Sequence, residues 1–184
     1  MRKLPHAAIP AAMFPIITDL PPSVYEGIGK VVSAHAFLET QVTELLFELS
    51  KIDYPIGRVT LKYQAASERF KTVKKLLVLH GFSPPELNLN ELFKQIETCC
   101  RVRDELSHGV WVQTPQGKLA LRLTKGDYET EDGIADRSFI PQANEIPDTH
   151  YDQARNIILL TANAVARLKA ESTAFLKGQH AAAE

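Results

Sequence analysis

The stretch Cys99-Cys100-Arg101-Val102-Arg103-Asp104-Glu105-Leu106-Ser107-His108-Gly109-Val110-Trp111 decides how the chain is read. At a helical step of about 100° per residue, Leu92, Ile96, Cys99, Val102 and Leu106 share one arc. Arg101, Asp104 and Glu105 fall on the opposite, polar side. Arg103 falls among the apolar residues of the arc. A guanidinium on a buried stripe is costly unless it is paired, so a partner is expected to meet it. Gly109 is expected to end this helix in the left-handed conformation that glycine adopts without strain.

Upstream, residues 1–21 are punctuated by proline and read as an extended arm. Pro5, Pro10 and Pro15 interrupt the apolar start, so no secretory signal is expected. Ser23 is a candidate N-cap, with Glu26 completing a capping box. From there to about Lys51, Val24, Ile28, Val31, Leu38, Val42, Leu45, Leu46 and Leu49 recur at helical spacing. His35 and Glu39 lie beside this stripe, one turn apart. His35 reads as a core histidine with a satisfied ring.

Asp53-Tyr54-Pro55-Ile56-Gly57 reads as a turn. A second helix is expected over 58–80, with Leu61, Phe70, Val73 and Leu77 inward. It is basic, carrying Arg58, Lys62, Arg69, Lys71, Lys74 and Lys75. These cations are either a solvated face or a positive field that would concentrate a polyanion, with Lys71, Lys74 and Lys75 as candidate substrate contacts. Gly81-Phe82-Ser83-Pro84-Pro85 ends that helix, and the third spans about 86–108.

After Gly109 the period changes. Val110-Trp111-Val112 is expected to pair with Leu119-Ala120-Leu121-Arg122-Leu123 as a hairpin across Thr114-Pro115-Gln116-Gly117. Residues 125–147 read as loop. A last helix is expected from Asp148 or Thr149, fraying after Gly178. The fold class is all-α: four main helices with a small β-hairpin inserted after the motif helix. The organisation is an arm at 1–21, a helical domain at 22–178 and a frayed tail at 179–184.

The 184 residues suit one domain, and 45% hydrophobic with 23% charged residues is ordinary for a soluble globular protein. A formal net charge of −1 gives no global attraction to nucleic acid, so any such contact must be local. Cys99 and Cys100 are adjacent and point apart on a helix, so no disulfide is expected and a reducing cytoplasm fits. No apolar run is long enough to span a bilayer. Asp127, Glu129, Glu131 and Asp132 are vaguely similar to a calcium loop, but Gly133 comes one position late and Ser138 stands where the bidentate glutamate belongs. His6, His80, His150 and His180 lack metal spacing, and no cofactor is expected.

His108 sits at a helix end, where the carbonyls favour a protonated imidazole. Alone it would be an ordinary helix-end residue. With Arg103 it makes a chemical pair: a permanent cation that holds phosphate bidentately and a group that exchanges a proton near neutral pH. Those are the needs of RNA cleavage without a metal. A base helps the 2′-hydroxyl attack phosphorus, and a cation stabilises the developing charge. On one helix the two side chains point about 140° apart, so two copies facing each other would close the site more easily than one.

Arg103-Asp104-Glu105-Leu106-Ser107-His108, followed by Gly109-Val110-Trp111, resembles the signature of the HEPN superfamily. That pattern is an arginine, a polar residue, a short gap and a histidine, often continuing as glycine and an aromatic. Arg101 also matches a longer spacing. Glu39 resembles the acidic residue often found midway along the family's long early helix. The resemblance implies a dimeric, metal-independent endoribonuclease with arginine and histidine from both protomers in one cleft. Many members are toxins of toxin–antitoxin, abortive-infection or other defence systems, so RNA, a second copy and a separate antitoxin protein are the implied partners. Arg103, Asp104 and His108 become the catalytic candidates, supported by Glu39, Arg101 and Ser107. At i to i+4, Asp104 is expected to reach His108. Other members are catalytically silent, so the alternative is a helical module for dimerisation, protein binding or nucleotide binding.

Overall fold

A computed structural model describes residues 15–60, 64–123 and 142–181. The expected inward Leu61, the basic Lys62, the acidic loop at 127–133, Ser138 and the first 14 residues lie outside that set. The described residues form five helices and a three-stranded antiparallel sheet: α1 (Pro22–Ser50), α2 (Tyr54–Thr60), α3 (Ala66–Leu79), α4 (Leu89–His108), β1 (Val110–Gln113), β2 (Leu119–Leu123), β3 (Gln142–Glu145) and α5 (Thr149–Ala181). None of these helices is long and apolar enough to cross a membrane.

The core is the apolar stripe of α1, with Val31, Leu38, Val42 and Leu45 fully buried against Phe70 and Leu77 of α3, Ile96 of α4, and Ile158, Val165 and Leu168 of α5. Each such side chain contributes about 1.5–3 kcal/mol of hydrophobic stabilisation. Contacts between α1 and α5 advance together along both helices, from Gly27 against Tyr151 to Glu44 with Lys169 and Glu48 with Thr173, so the two run parallel. Gly27 permits this closeness: a Cβ there would lie 2.5 Å from the Tyr151 ring. Against α5, α4 runs the other way, pairing Glu86 just before it with Arg167 and Cys99 with Thr161.

Several local expectations are corrected. α1 starts at Pro22 without a side-chain cap, so Ser23 is inside the first turn and makes no capping box. Proline is pre-organised for the start of a helix and loses no useful N–H there. The supposed turn at 53–57 is the start of α2. Pro55 fits its first turn, and Tyr54 meets Phe47 edge-on with ring centroids 5.4 Å apart. The expected helix over 58–80 is thus two helices, with Gln64 and Ala65 outside both. α4 begins at Leu89, not near 86, because Asn88 caps it by accepting from the Asn90 and Glu91 N–H groups at 3.0 and 3.1 Å. α5 continues past Gly178 to Ala181.

The hairpin register is Trp111 opposite Leu121 and Val112 opposite Ala120. Two neighbours extend it. β3, within the expected loop, pairs with β2, and the end of the arm lies along β1. There Ile17 donates its N–H to the Trp111 carbonyl at 2.9 Å, and Gln113 donates to Pro15 at 3.1 Å. Both edges of the β1–β2 pair are therefore covered, which removes exposed donors and acceptors.

Candidate functional site

Gly109 is not left-handed: its φ of −69° and ψ of 151° are extended, carrying the chain straight from α4 into β1. Glycine is needed for a different reason. A Cβ would lie 2.5 Å from the Glu105 carbonyl oxygen and 2.6 Å from Leu121 Cδ1. The close seat of β2 against the end of α4 sets the backbone just after His108, which is exposed in the last turn of the helix.

Arg103 is not buried in the apolar arc. Its side chain is 26% exposed at the rim where α4 meets α1. A long side chain on a helix leans over the preceding turn, which takes the guanidinium back toward Cys100 and Glu39. Nη1 pairs with Asp104 Oδ1 at 2.8 Å, and Nη2 lies 3.9 Å from Glu39 Oε1. The charge is met by two carboxylates, one from its own helix and one from α1. Arg101 is turned the other way, bonded to Glu105 Oε1 at 3.1 Å. The geometry therefore joins Arg103, and not Arg101, to Glu39.

The expected contact between Asp104 and His108 is absent among the described residues, since the Asp104 carboxylate is turned to Arg103. Ser107 is exposed one position before His108. Arg103 and His108 are separated by about 7.5 Å of helix rise as well as by their angle, so a single chain does not close them on one atom.

On α3 two of the three candidate lysines lean on an aromatic ring of α4. Lys71 pairs with Glu68 at 2.7 Å and lies 5.6 Å from the centre of the Phe93 ring. Lys74 bonds Asn90 and lies 5.3 Å from the same ring. Phe93 precedes Arg103 by about 15 Å along α4, by the helical rise. Lys71 and Lys74 are thus turned toward Phe93, and Lys75 is exposed.

One constellation was not legible in the sequence. His35 is 2% exposed, and its Nε2 lies 3.5 Å from Cys100 Sγ. Its Nδ1 faces Glu39 Oε2 at 3.9 Å. Burial pushes the His35 imidazole below its ordinary range, against the upward pull of Glu39, with Arg103 adding to the lowering. Burial also pushes the Cys100 thiol up, although a Ser67 backbone N–H at the start of α3 works the other way. Cys99 is raised by burial too, and bonds Thr161 at 3.6 Å. Both cysteines are free thiols.

A cavity of about 960 Å³ lies between the arm, the sheet and the start of α5, lined among others by Asp19, Val24, Lys118 and Tyr151. It contains none of the motif residues. A smaller one of about 220 Å³ touches Glu105 and Leu106 of α4 together with His150. Among the described residues, no group of three or more His, Cys, Asp or Glu side chains is placed to hold a metal ion. Comparison of the chain with protein-family models, with curated proteins and with solved structures found no match.

Proposed function

We propose that this chain is a metal-independent endoribonuclease of HEPN type, acting in the cytoplasm as a homodimer whose facing α4 helices form a composite site. The reading takes α1, α3, α4 and α5 as the four main helices of a HEPN-like bundle. The observation that carries it is the exposed rim of α4. Arg103 is held there between Glu39 and Asp104 without being buried, and His108 stands exposed at the end of the same helix.

In such a site His108 takes the proton of a ribose 2′-hydroxyl as the oxygen attacks phosphorus. The bond from phosphorus to the 5′-oxygen breaks, and that oxygen takes up a proton. The ends left are a 2′,3′-cyclic phosphate and a 5′-hydroxyl. Arg103 from the facing protomer stabilises the charge on the phosphoryl oxygens, which is a large term in a preorganised site. Glu39 and Asp104 hold the guanidinium in place. Arg101 and Ser107 are supporting residues at the rim, and Lys71, Lys74 and Lys75 would meet only phosphates flanking the cleaved bond. A toxin or defence effector, controlled by a separate antitoxin protein, is the role that goes with this chemistry.

One observation favours a second reading. Arg103 already has two carboxylates within ion-pair distance, so a resting site of this kind also suits a catalytically silent module for dimerisation or for binding protein or nucleotide. Cleavage of a mixed RNA pool by the wild-type chain in EDTA separates the two. Ends bearing cyclic phosphate support the nuclease, and an intact pool with a well-folded dimer supports the module.

A further inference from the structure

Four groups from two helices stand in sequence beside His35. On α4, the Cys100 thiol lies 3.5 Å from His35 Nε2, within the range of a sulfur hydrogen bond. On α1, the other ring nitrogen faces one oxygen of Glu39, whose second oxygen faces Arg103. Asp104 closes the set on the far side of the guanidinium.

The roles of donor and acceptor follow from chemistry. The Glu39 carboxylate can only accept, so the neutral ring that faces it carries its proton at Nδ1. Nε2 is then an acceptor, and the protonated Cys100 thiol in reach gives its S–H to it. At 3.9 Å the contact with Glu39 is one of charge and dipole and not a full hydrogen bond.

We infer that His35 is a positioning residue of the Arg103 site: Glu39 and Cys100 together set its tautomer, and the Nδ1–H it presents steadies Glu39 against the guanidinium. The inference rests on the functional reading for its purpose, but the linkage is a property of the fold. The neutral ring leaves the carboxylate to Arg103. A protonated ring would compete for it, because one carboxylate would then lie between two cations. Acidification therefore loosens Arg103 from α1 through a group with no access to substrate. The charged and titratable groups facing the ring are Glu39 on its own helix and Cys100, Arg103 and Asp104 on α4.

The test is nitrogen-15 NMR of the His35 ring in the full chain, read with pH in wild type, Glu39→Gln and Arg103→Gln. Glu39 and Arg103 sit at the rim, so both variants keep the core. The expected wild-type spectrum shows a neutral ring protonated at Nδ1. Removing the carboxylate in Glu39→Gln moves the titration midpoint down, and removing the guanidinium in Arg103→Gln moves it up. A ring protonated at Nε2, or a midpoint that neither substitution moves, overturns the inference. RNA left uncut beside these shifts would overturn the ribonuclease reading alone. RNA cut beside an unmoved midpoint would overturn the positioning role of His35 alone.

Discussion

Glu39 Oε1 lies 3.9 Å from Arg103 Nη2, tying the middle of α1 to the last turns of α4. Everything proposed for the site depends on that meeting of two helices. Arg103→Gln removes the cation and keeps a side chain of similar reach. RNA cleavage is expected to fall by about 10²–10³ in kcat, the usual loss on removing one oxyanion donor. Urea unfolding should move little, because exposed pairs contribute about 0–1 kcal/mol. A variant with full activity would remove Arg103 from the chemistry.

Gly109→Ala tests how α4 is joined to the sheet. The new Cβ meets a backbone carbonyl and Leu121 Cδ1, and the carbonyl cannot step aside without distorting the helix end. A loss of about 1–3 kcal/mol in urea is expected, the range for overpacking. Ordinary stability in this variant would contradict the close seat of β2 on the end of α4.

Lys71 and Lys74 are expected to matter more to packing than to catalysis. Each cation over the Phe93 ring contributes about 0.5–1 kcal/mol at an exposed site. Phe93→Ala should therefore make both lysines more mobile by NMR. Lys74→Gln should leave kcat within about threefold, a margin of well under 1 kcal/mol. A much larger fall in kcat for Lys74→Gln would return these lysines to the reacting centre.

Stability should fall on both sides of neutrality. The folded state holds His35 below its ordinary value of 6.5, so the unfolded chain binds more protons as pH drops through that value. Stability is then complete above 6.5 and is lost progressively below it. Cys99 and Cys100 are held above 9.0 by burial, so the unfolded chain releases protons first as pH rises past that point. The urea midpoint should decline below pH 6.5 and above pH 9, and His35→Gln should flatten the acid side. An acid limb unchanged in that variant would assign it to other groups.

What could be read in the sequence, and what could not, divides by range. The helices α1, α4 and α5 and the β1–β2 pairing follow from periodicity and turn residues within a few positions of one another. The extra helix α2 was hidden because Pro55 and Gly57 punctuate a turn equally well; only Phe47, packing on Tyr54 and Gly57, decides between them. β3 carries Gln142, Asn144 and Glu145, which lack strand propensity, and pairing with β2 overrides it. Arg103 was placed on the buried side because an ideal wheel assigns a direction to Cα. A long side chain leans out of that direction to the rim. His35 and Cys100 are 65 residues apart, and no local pattern joins them.

The most direct test of the composite site mixes two inactive partners, Arg103→Gln and His108→Ala, under conditions where protomers exchange. If arginine from one copy works with histidine from the other, each mixed dimer holds one intact site of two. With half the dimers mixed, RNA cleavage in EDTA should recover to about a quarter of wild type, by the arithmetic of a two-fold interface. Mixed dimers that form and remain inactive, beside an active wild type, would contradict the site shared across the interface.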